Sequence, residues 1–343
     1  MTDIVITGMA SLVPRGPAAL HEEIPGPVHR VEPFDPEAHF GRRRARFKHR
    51  SALLAMTACE AALADAGLKV TDASRDTVGI TLGTTTGSIT GIVEFGMTSF
   101  DLDHPFLVNA ARFPNMGLNA AAAAAAIHLG VRGANSTAVG GPLSGVAALR
   151  HAQVTLRAGH VEAILAGASE EVTGPTVWWA RTARDTAAPG EGAAVFVLER
   201  RESALAAGRP PRAVLAAATV RATDPTDAEV LADVIAQTLA DAGVGPADVA
   251  LVAVRATGVF AVDAAQRAAL EQACPAPQLW SEPEIGDCYS AHSALQLARV
   301  IDHLTEPGAT VPPAGLVVAL DPDGAIGVLV VARPDDSNEV THA

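Results

Sequence analysis

The feature that most narrows what this chain can fold into is an alternation, repeated along its length, of short β-branched runs with longer stretches of helical periodicity. Val5 to Ala10 reads as an opening strand, and Ser51 to Gly67 carries Leu54, Ala58, Ala61, Leu63 and Ala66 at helical spacing before a capping glycine. Val78 to Gly83 predicts another strand, followed by the turn-prone Thr84-Thr-Thr-Gly87, and Asn115 to Leu129 predicts an Ala-rich buried helix. A strand over Asn135 to Val139, a helix over Gly145 to Ala158, and strands over Glu162 to Gly167 and Ala193 to Leu198 complete the first series. Gly208-Arg-Pro-Pro211 marks a boundary, after which Ala213 to Arg221, Ala228 to Ala242, Val249 to Val254 and Asp263 to Ala273 resume the alternation. A helix over His292 to Leu304 and strands over Leu316 to Leu320 and Gly327 to Val331 close it. The pattern predicts an α/β fold of two similar βα halves, residues 1–207 and 208–334, with a polar tail at 335–343.

Composition removes several function classes. Among 343 residues, 49% are apolar and 18% charged, without an apolar run of membrane-spanning length, so a globular chain away from membranes is expected. Met1 leads straight into a strand-like segment with no basic n-region or apolar h-region, which makes the cytoplasm the expected compartment. Cys59, Cys274 and Cys288 lie far apart, so neither a disulfide framework nor a metal site is expected. A net charge of -13 argues against nucleic acid as a partner. Aromatics make up only 4%, so the interior must pack small residues whose backbones approach closely.

Against this background, several stretches resemble the central block of β-ketoacyl synthases: Asn115-Met116, Gly130-Val-Arg-Gly133, Ser136-Thr-Ala138, Leu143-Ser-Gly145 and Arg157-Ala-Gly159 through Gly167-Ala-Ser-Glu170. Ile6-Thr-Gly8, Pro105-Phe106 and Gly190-Glu-Gly192 extend the resemblance over nearly the whole chain. It implies the thiolase-like fold, a layered αβαβα arrangement. That family places a Cys nucleophile at a helix start, where the helix dipole lowers the thiol pKa, and uses two histidines beside it.

Counting from Arg157-Ala-Gly159, the nucleophile position is held by Pro142. Proline cannot carry an acyl group, and it lacks the backbone N–H that in the family forms part of the oxyanion hole, a donor worth roughly 10²- to 10³-fold in rate. The helix survives, because Pro suits a first helical position. Arg255, in Arg255-Ala-Thr-Gly-Val259 with Asp263 retained, stands where the first histidine would be, and Asp287 where the second would be. A guanidinium stays protonated and cannot exchange protons as an imidazole does. The family's Gly-rich terminal loop is replaced by Asp321 to Gly327, and the stretch between Glu170 and Gly190 is shorter than usual.

A ketosynthase-like chain with its catalytic set erased resembles the chain length factor of type II polyketide synthases, including polyene or highly reducing types. The resemblance implies a heterodimer with an active ketosynthase and substrates carried on the phosphopantetheine of an acyl carrier protein, with no cofactor of its own. It assigns Asn135, Ser136, Thr137, Ala138 and Val139 to the dimer interface. It also assigns Phe106, Leu107, Phe113 and Met116 to the tunnel that sets chain length, against the alternative of ordinary core packing. Arg42, Arg43, Arg44 and Arg46 form a basic run that suits an anionic carrier protein, against the alternative of a solvated or internally paired segment.

Other readings were weighed beside it. Cys288 and His292, four apart, could share a helix face as a thiolate–imidazole pair, although a buried inert Cys is the commoner case. Ser144 fits helix-start capping better than nucleophilic chemistry. A repurposed acyltransferase, cyclase or hydrolase using Cys288, Asp287 or Arg255, and a purely stabilising scaffold, stand as alternatives. Gly83-Thr-Thr-Thr-Gly87 meets no nucleotide-binding fingerprint.

Overall fold

The computed structural model describes residues 3–18, 26–183, 187–308 and 310–334, so the polar tail at 335–343 lies outside the described residues. The alternation in the sequence folds into one ten-stranded mixed sheet. Its elements are β1 (Ile4–Leu12), α1 (Arg50–Asp65), β2 (Val78–Thr84), α2 (Ile89–Asp101), α3 (Ala120–Leu129), β3 (Asn135–Val139), α4 (Ser144–Arg157), β4 (Ala163–Glu170), α5 (Gly174–Ala183) and β5 (Gly192–Arg200). They continue with β6 (Ala213–Ala222), α6 (Ala228–Asp241), β7 (Val249–Val254), α7 (Phe260–Ala273), β8 (Gln278–Trp280), α8 (His292–Thr305), β9 (Ala314–Asp321) and β10 (Ala325–Ala332).

The strand order is β8-β7-β9-β10-β6-β1-β5-β4-β2-β3. It reads as one five-strand pattern used twice, β1-β5-β4-β2-β3 and β6-β10-β9-β7-β8, joined where Val5 pairs with Val214 and Ile6 with Ala213. In each half the three strands farthest from the join run parallel and the strands nearest the join run antiparallel.

Three apolar clusters build five layers. α1 and α3 cover one face of the first half, α6 and α7 cover one face of the second, and α4 and α8 lie between the two halves. Strands buried on both faces read as unbroken apolar runs, as β4 and β5 do. Small residues make the tight layering possible. A Cβ on Gly167 would lie 1.9 Å from the carbonyl oxygen of Ala194 on the neighbouring strand, and one on Gly145 of α4 would lie 2.6 Å from Ser293 Oγ of α8. This is the thiolase-like αβαβα arrangement that the sequence implied.

Two departures from the sequence reading concern the same stretch. The helix predicted over Asn115 to Leu129 begins only at Ala120, because Pro114 confines the preceding residues to a 3₁₀ turn, Ala110–Asn115. Nor is it buried throughout, since Ile127 is 83% exposed. The reading also passed over α2, an amphipathic helix with Ile89, Ile92, Val93, Met97 and Phe100 on one side and Thr90, Glu94, Thr98 and Asp101 on the other; of its residues only Gly91 is buried. Among the described residues no helix is long and apolar enough to cross a membrane.

Candidate functional site

The sheet order brings Pro142, Arg255 and Asp287 together around one cavity of about 330 Å³, which Trp179, Thr257, Tyr289 and Asp321 also line. Pro142 sits in a 3₁₀ turn, Gly141–Leu143, that leads into α4. Ser144, the first residue of α4, is buried: its Oγ accepts from the Gly140 N–H at 2.9 Å and lies 2.8 and 3.0 Å from the carbonyl oxygens of Gly141 and Thr84. The hydroxyl therefore ties the turn to β2, in keeping with a helix-start role.

Arg255 follows β7, and Asp287 lies in the loop ahead of α8. Arg255 Nε donates to Asp287 Oδ1 at 3.0 Å and Nη2 donates to Oδ2 at 2.5 Å, while Nη1 reaches the Leu320 carbonyl at 3.3 Å. Both residues are buried. Burial pushes the Asp287 carboxyl up, but the Arg255 charge and hydrogen bonds, with His292 and the Tyr289 N–H, outweigh it and hold the group below the usual carboxylate range. Burial likewise opposes the guanidinium charge, and Asp287 overcomes it, so Arg255 is held above its ordinary value. Arg255 and Asp287 thus form one bidentate ion pair that stays charged.

The same carboxylate shapes the loop beside it. Asp287 Oδ1 accepts from the Tyr289 N–H at 3.0 Å, where Tyr289 takes a left-handed backbone at φ 45°. Its ring meets Trp179 of α5 with centroids 5.2 Å apart. Asp321, which also lines the cavity, accepts at Oδ1 from the Asp323 N–H at 3.0 Å.

The thiolate–imidazole reading of Cys288 and His292 is corrected. The two do not share a helix face, because Cys288 precedes a 3₁₀ turn, Tyr289–Ala291, and α8 starts at His292. The buried Cys288 Sγ lies 3.4 Å from the carbonyl oxygens of Glu191 and Ile285, and burial together with nearby carboxylates pushes its thiol well above the ordinary value. His292 Nδ1 accepts from the Cys288 N–H at 3.4 Å, and Nε2 faces Ser281 Oγ at 3.1 Å and Glu282 at 3.2 Å. The sulfur is an inert interior group.

A second region lies at the free edge of the first half. β3 pairs with β2 on one side only; Asn135 and Val139 are exposed, and Ser136, Thr137 and Ala138 are half-buried. Of the four tunnel candidates, Phe106, Leu107 and Phe113 are 77%, 55% and 66% exposed and Met116 is half-buried, so the core-packing alternative fails for the first three. Phe106 stacks on His104 with centroids 5.1 Å apart, and Phe113 meets Phe95 edge-on at 6.3 Å.

Sequence reasoning missed the rest of this apolar surface: Ile92, Val93, Met97 and Phe100 on α2, Ile127 on α3 and Val154 on α4 are all exposed. Its one signal was the helical spacing of Ile89, Ile92, Val93, Met97 and Phe100 along α2. The basic run divides: Arg42, Arg43, Arg44 and Arg46 are exposed, whereas Arg50 turns inward to Glu191.

Comparison with known proteins agrees with this frame. The chain matches the beta-ketoacyl synthase N-terminal domain over residues 18–188 and the C-terminal domain over 213–314. It belongs to the β-ketoacyl synthase family. A 3-oxoacyl-[acyl-carrier-protein] synthase 2 of Synechocystis sp. is 26% identical over 270 residues, covering 71% of this chain; the chain spans 65% of that relative's length.

Among solved structures, the ishigamide ketosynthase/chain length factor superposes with a TM-score of 0.82 and 27% identity, over 97% of this chain and 100% of that one. A β-ketoacyl synthase from Burkholderia phymatum STM815 gives 0.85 at 20% identity, over 98% and 100%. A ketosynthase chain of AntDE:AntF, a type II polyketide synthase complex with its acyl-carrier protein, gives 0.82 at 19% identity, over 97% and 100%. The last two speak to the fold alone.

Proposed function

We propose that this chain is the non-catalytic, chain-length-determining partner of an active ketosynthase in a type II polyketide synthase, working on acyl chains held by an acyl carrier protein. The observation that carries the reading is the buried Arg255–Asp287 pair beside Pro142. Condensation needs a thiolate to take the acyl group, an N–H to meet the developing oxyanion, and imidazoles to assist. Pro142 supplies neither of the first two, and a guanidinium and a carboxylate that hold each other charged provide no imidazole for the third. The cavity keeps its shape and loses its chemistry.

What the chain retains is surface. An open strand edge presents unpaired backbone N–H and C=O groups, which proteins leave uncovered only when short, charged or destined for a partner. β3 lies beside α3 and α4, which expose Ile127 and Val154, and α2 with the 3₁₀ turns that follow it exposes further apolar side chains; patches of that kind mark interaction sites. In this reading Asn135 to Val139 add to the partner's sheet edge. Phe106, Leu107, Phe113 and Met116 close the partner's acyl tunnel, each excluded methylene forfeiting about 0.8 kcal/mol of burial. The exposed arginines at 42–44 and 46 suit an anionic carrier. The similarity to the ishigamide ketosynthase/chain length factor supports this assignment over a lone synthase. The inert Cys288 speaks against a repurposed hydrolase or acyltransferase.

The test is co-expression with a ketosynthase that has an intact Cys and two His residues, followed by light scattering and a malonyl condensation assay on the complex and on each chain. A one-to-one complex with activity that depends on the partner's Cys, and a product length that changes with Phe113→Ala, is expected. Condensation by this chain alone at a normal rate would overturn the proposal.

A further inference from the structure

Three glutamates meet inside the first half: Glu170 at the end of β4, Glu171 next to it and Glu191 ahead of β5, each no more than 2% exposed. The cations around them serve one member. Arg50 Nε donates to both Glu191 oxygens at 2.9 Å and its Nη2 to Oε1 at 2.7 Å, and Arg30 Nε stands 3.8 Å from Oε1. Glu191 also accepts from the N–H groups of Val31 at 2.8 Å and Val172 at 3.1 Å.

Glu170 meets neutral donors, the Thr85 N–H at 2.8 Å, Ser290 Oγ at 2.7 Å and Thr86 Oγ1 at 3.4 Å, and burial outweighs them, so its carboxyl too stands above the ordinary value. Glu171 Oε2 accepts from the Ser51 N–H at 2.9 Å, the Ser51 hydroxyl adds a weaker interaction, and Oε1 is buried with no hydrogen-bond partner among the described residues. A buried carboxylate whose neutral donors all come from one residue, beside two other carboxyls, is strongly disfavoured. A proton removes that charge.

We propose that Glu171 holds a proton within this cluster and that its release as pH rises loosens the joint between the start of α1 and the segment that leads into α5. Glu171 faces Ser51 of α1 together with Glu170 and Glu191; Arg50 of α1 and Arg30 from the segment ahead of it pair with Glu191, beside whose carbonyl lies the thiol of Cys288, which stays protonated. The joint is specific. Ser51 belongs to α1, while Val172, held by Glu191, is followed by Thr173, whose Oγ1 accepts from Thr90 Oγ1 of α2 at 2.6 Å.

Burial pushes the Glu171 carboxyl up to about 7 from 4.5, with Glu170 and Glu191 adding to the rise and the Ser51 N–H opposing it. The folded chain therefore holds this proton more tightly than the unfolded one. The contribution to stability is full below pH 4.5, declines as pH rises to about 7, and is flat above.

The test compares urea unfolding of the full chain with that of Glu171→Gln, which keeps the shape and removes the titration, between about pH 5 and about pH 8. The folding constant of the wild type should fall at least about tenfold relative to the variant across that interval, and amide exchange at Ser51–Leu54 and Val172–Val177 should quicken beyond its intrinsic pH dependence only in the wild type. Parallel stability curves, or unchanged exchange, would overturn the proposal. Should Glu171→Gln fail to fold, the infrared band of a buried protonated carboxyl decides on the wild type alone: present in mild acid and lost toward neutrality as proposed, or absent throughout, which refutes it.

Discussion

The two halves of the sheet share one strand order and differ in what hangs from it. In the first half, β2 is joined to α3 by residues 85–119, which include α2 and two 3₁₀ turns; in the second, β7 reaches α7 through residues 255–259. The first half ends in β3, five residues beside helices that expose Ile127 and Val154. The second ends in the three-residue β8, where the guanidinium of Arg267 covers the Trp280 ring at 5.0 Å. One half thus carries an elaborated apolar edge, and the other a covered edge together with both members of the Arg255–Asp287 pair. A duplicated topology leaves each copy free to specialise, because loops can lengthen without disturbing the sheet that supports them.

The comparison can be broken at its most buried point. Arg255→Ala strands the Asp287 charge and is expected to cost about 3–5 kcal/mol in urea unfolding, whereas Arg255→Met with Asp287→Leu should cost far less. Equal losses for both variants would remove the pair's electrostatic role.

At the edges, Val139→Asp combined with Ile127→Asp should weaken co-elution with a ketosynthase more than tenfold, since a charge is forced into a dry contact, while the isolated chain changes by less than about 1 kcal/mol. Trp280→Ala in the covered edge should leave association untouched. An equal effect at both edges would erase the asymmetry.

Acid sharpens the contrast in a different way. Asp287 is held below its ordinary 3.8, so its contribution is fully present above that pH and is lost as pH falls through the folded value. Asp287→Asn should therefore lack the acid-side loss of stability seen in the wild type. Phe113→Ala should shift product length in a complex by opening room for further methylenes, each worth about 0.8 kcal/mol. The smallest effect is expected from Pro142→Cys: no condensation appears, because the Arg255–Asp287 pair beside it offers no imidazole.

Legibility followed distance along the chain. Strand and helix positions such as Asn135–Val139 and Val249–Val254 were readable because alternation and apolar runs are local. The start of α3 was misplaced because Pro114 and the turn beyond it interrupt an otherwise helical Ala-rich pattern. The apolar residues of α2 do recur at helical spacing, but that pattern does not tell whether the apolar side meets the core or solvent. At the site, the substitutions at 142, 255 and 287 were legible by resemblance, but the cavity that joins them was not. Arg50 looked like one member of a basic run, and only its contact with Glu191 separates it from its neighbours.

The sequence by itself determined the alternating elements and the covalent facts at Pro142: no sulfur, no backbone N–H. Tertiary structure alone decided that Arg255 and Asp287 neutralise each other, that Glu171 is left with neutral donors from Ser51 alone, and that Phe106 and Phe113 face outward. The physical reason is that periodicity and bonding act over a few residues, whereas charge pairing and burial depend on which strand ends the sheet order brings side by side.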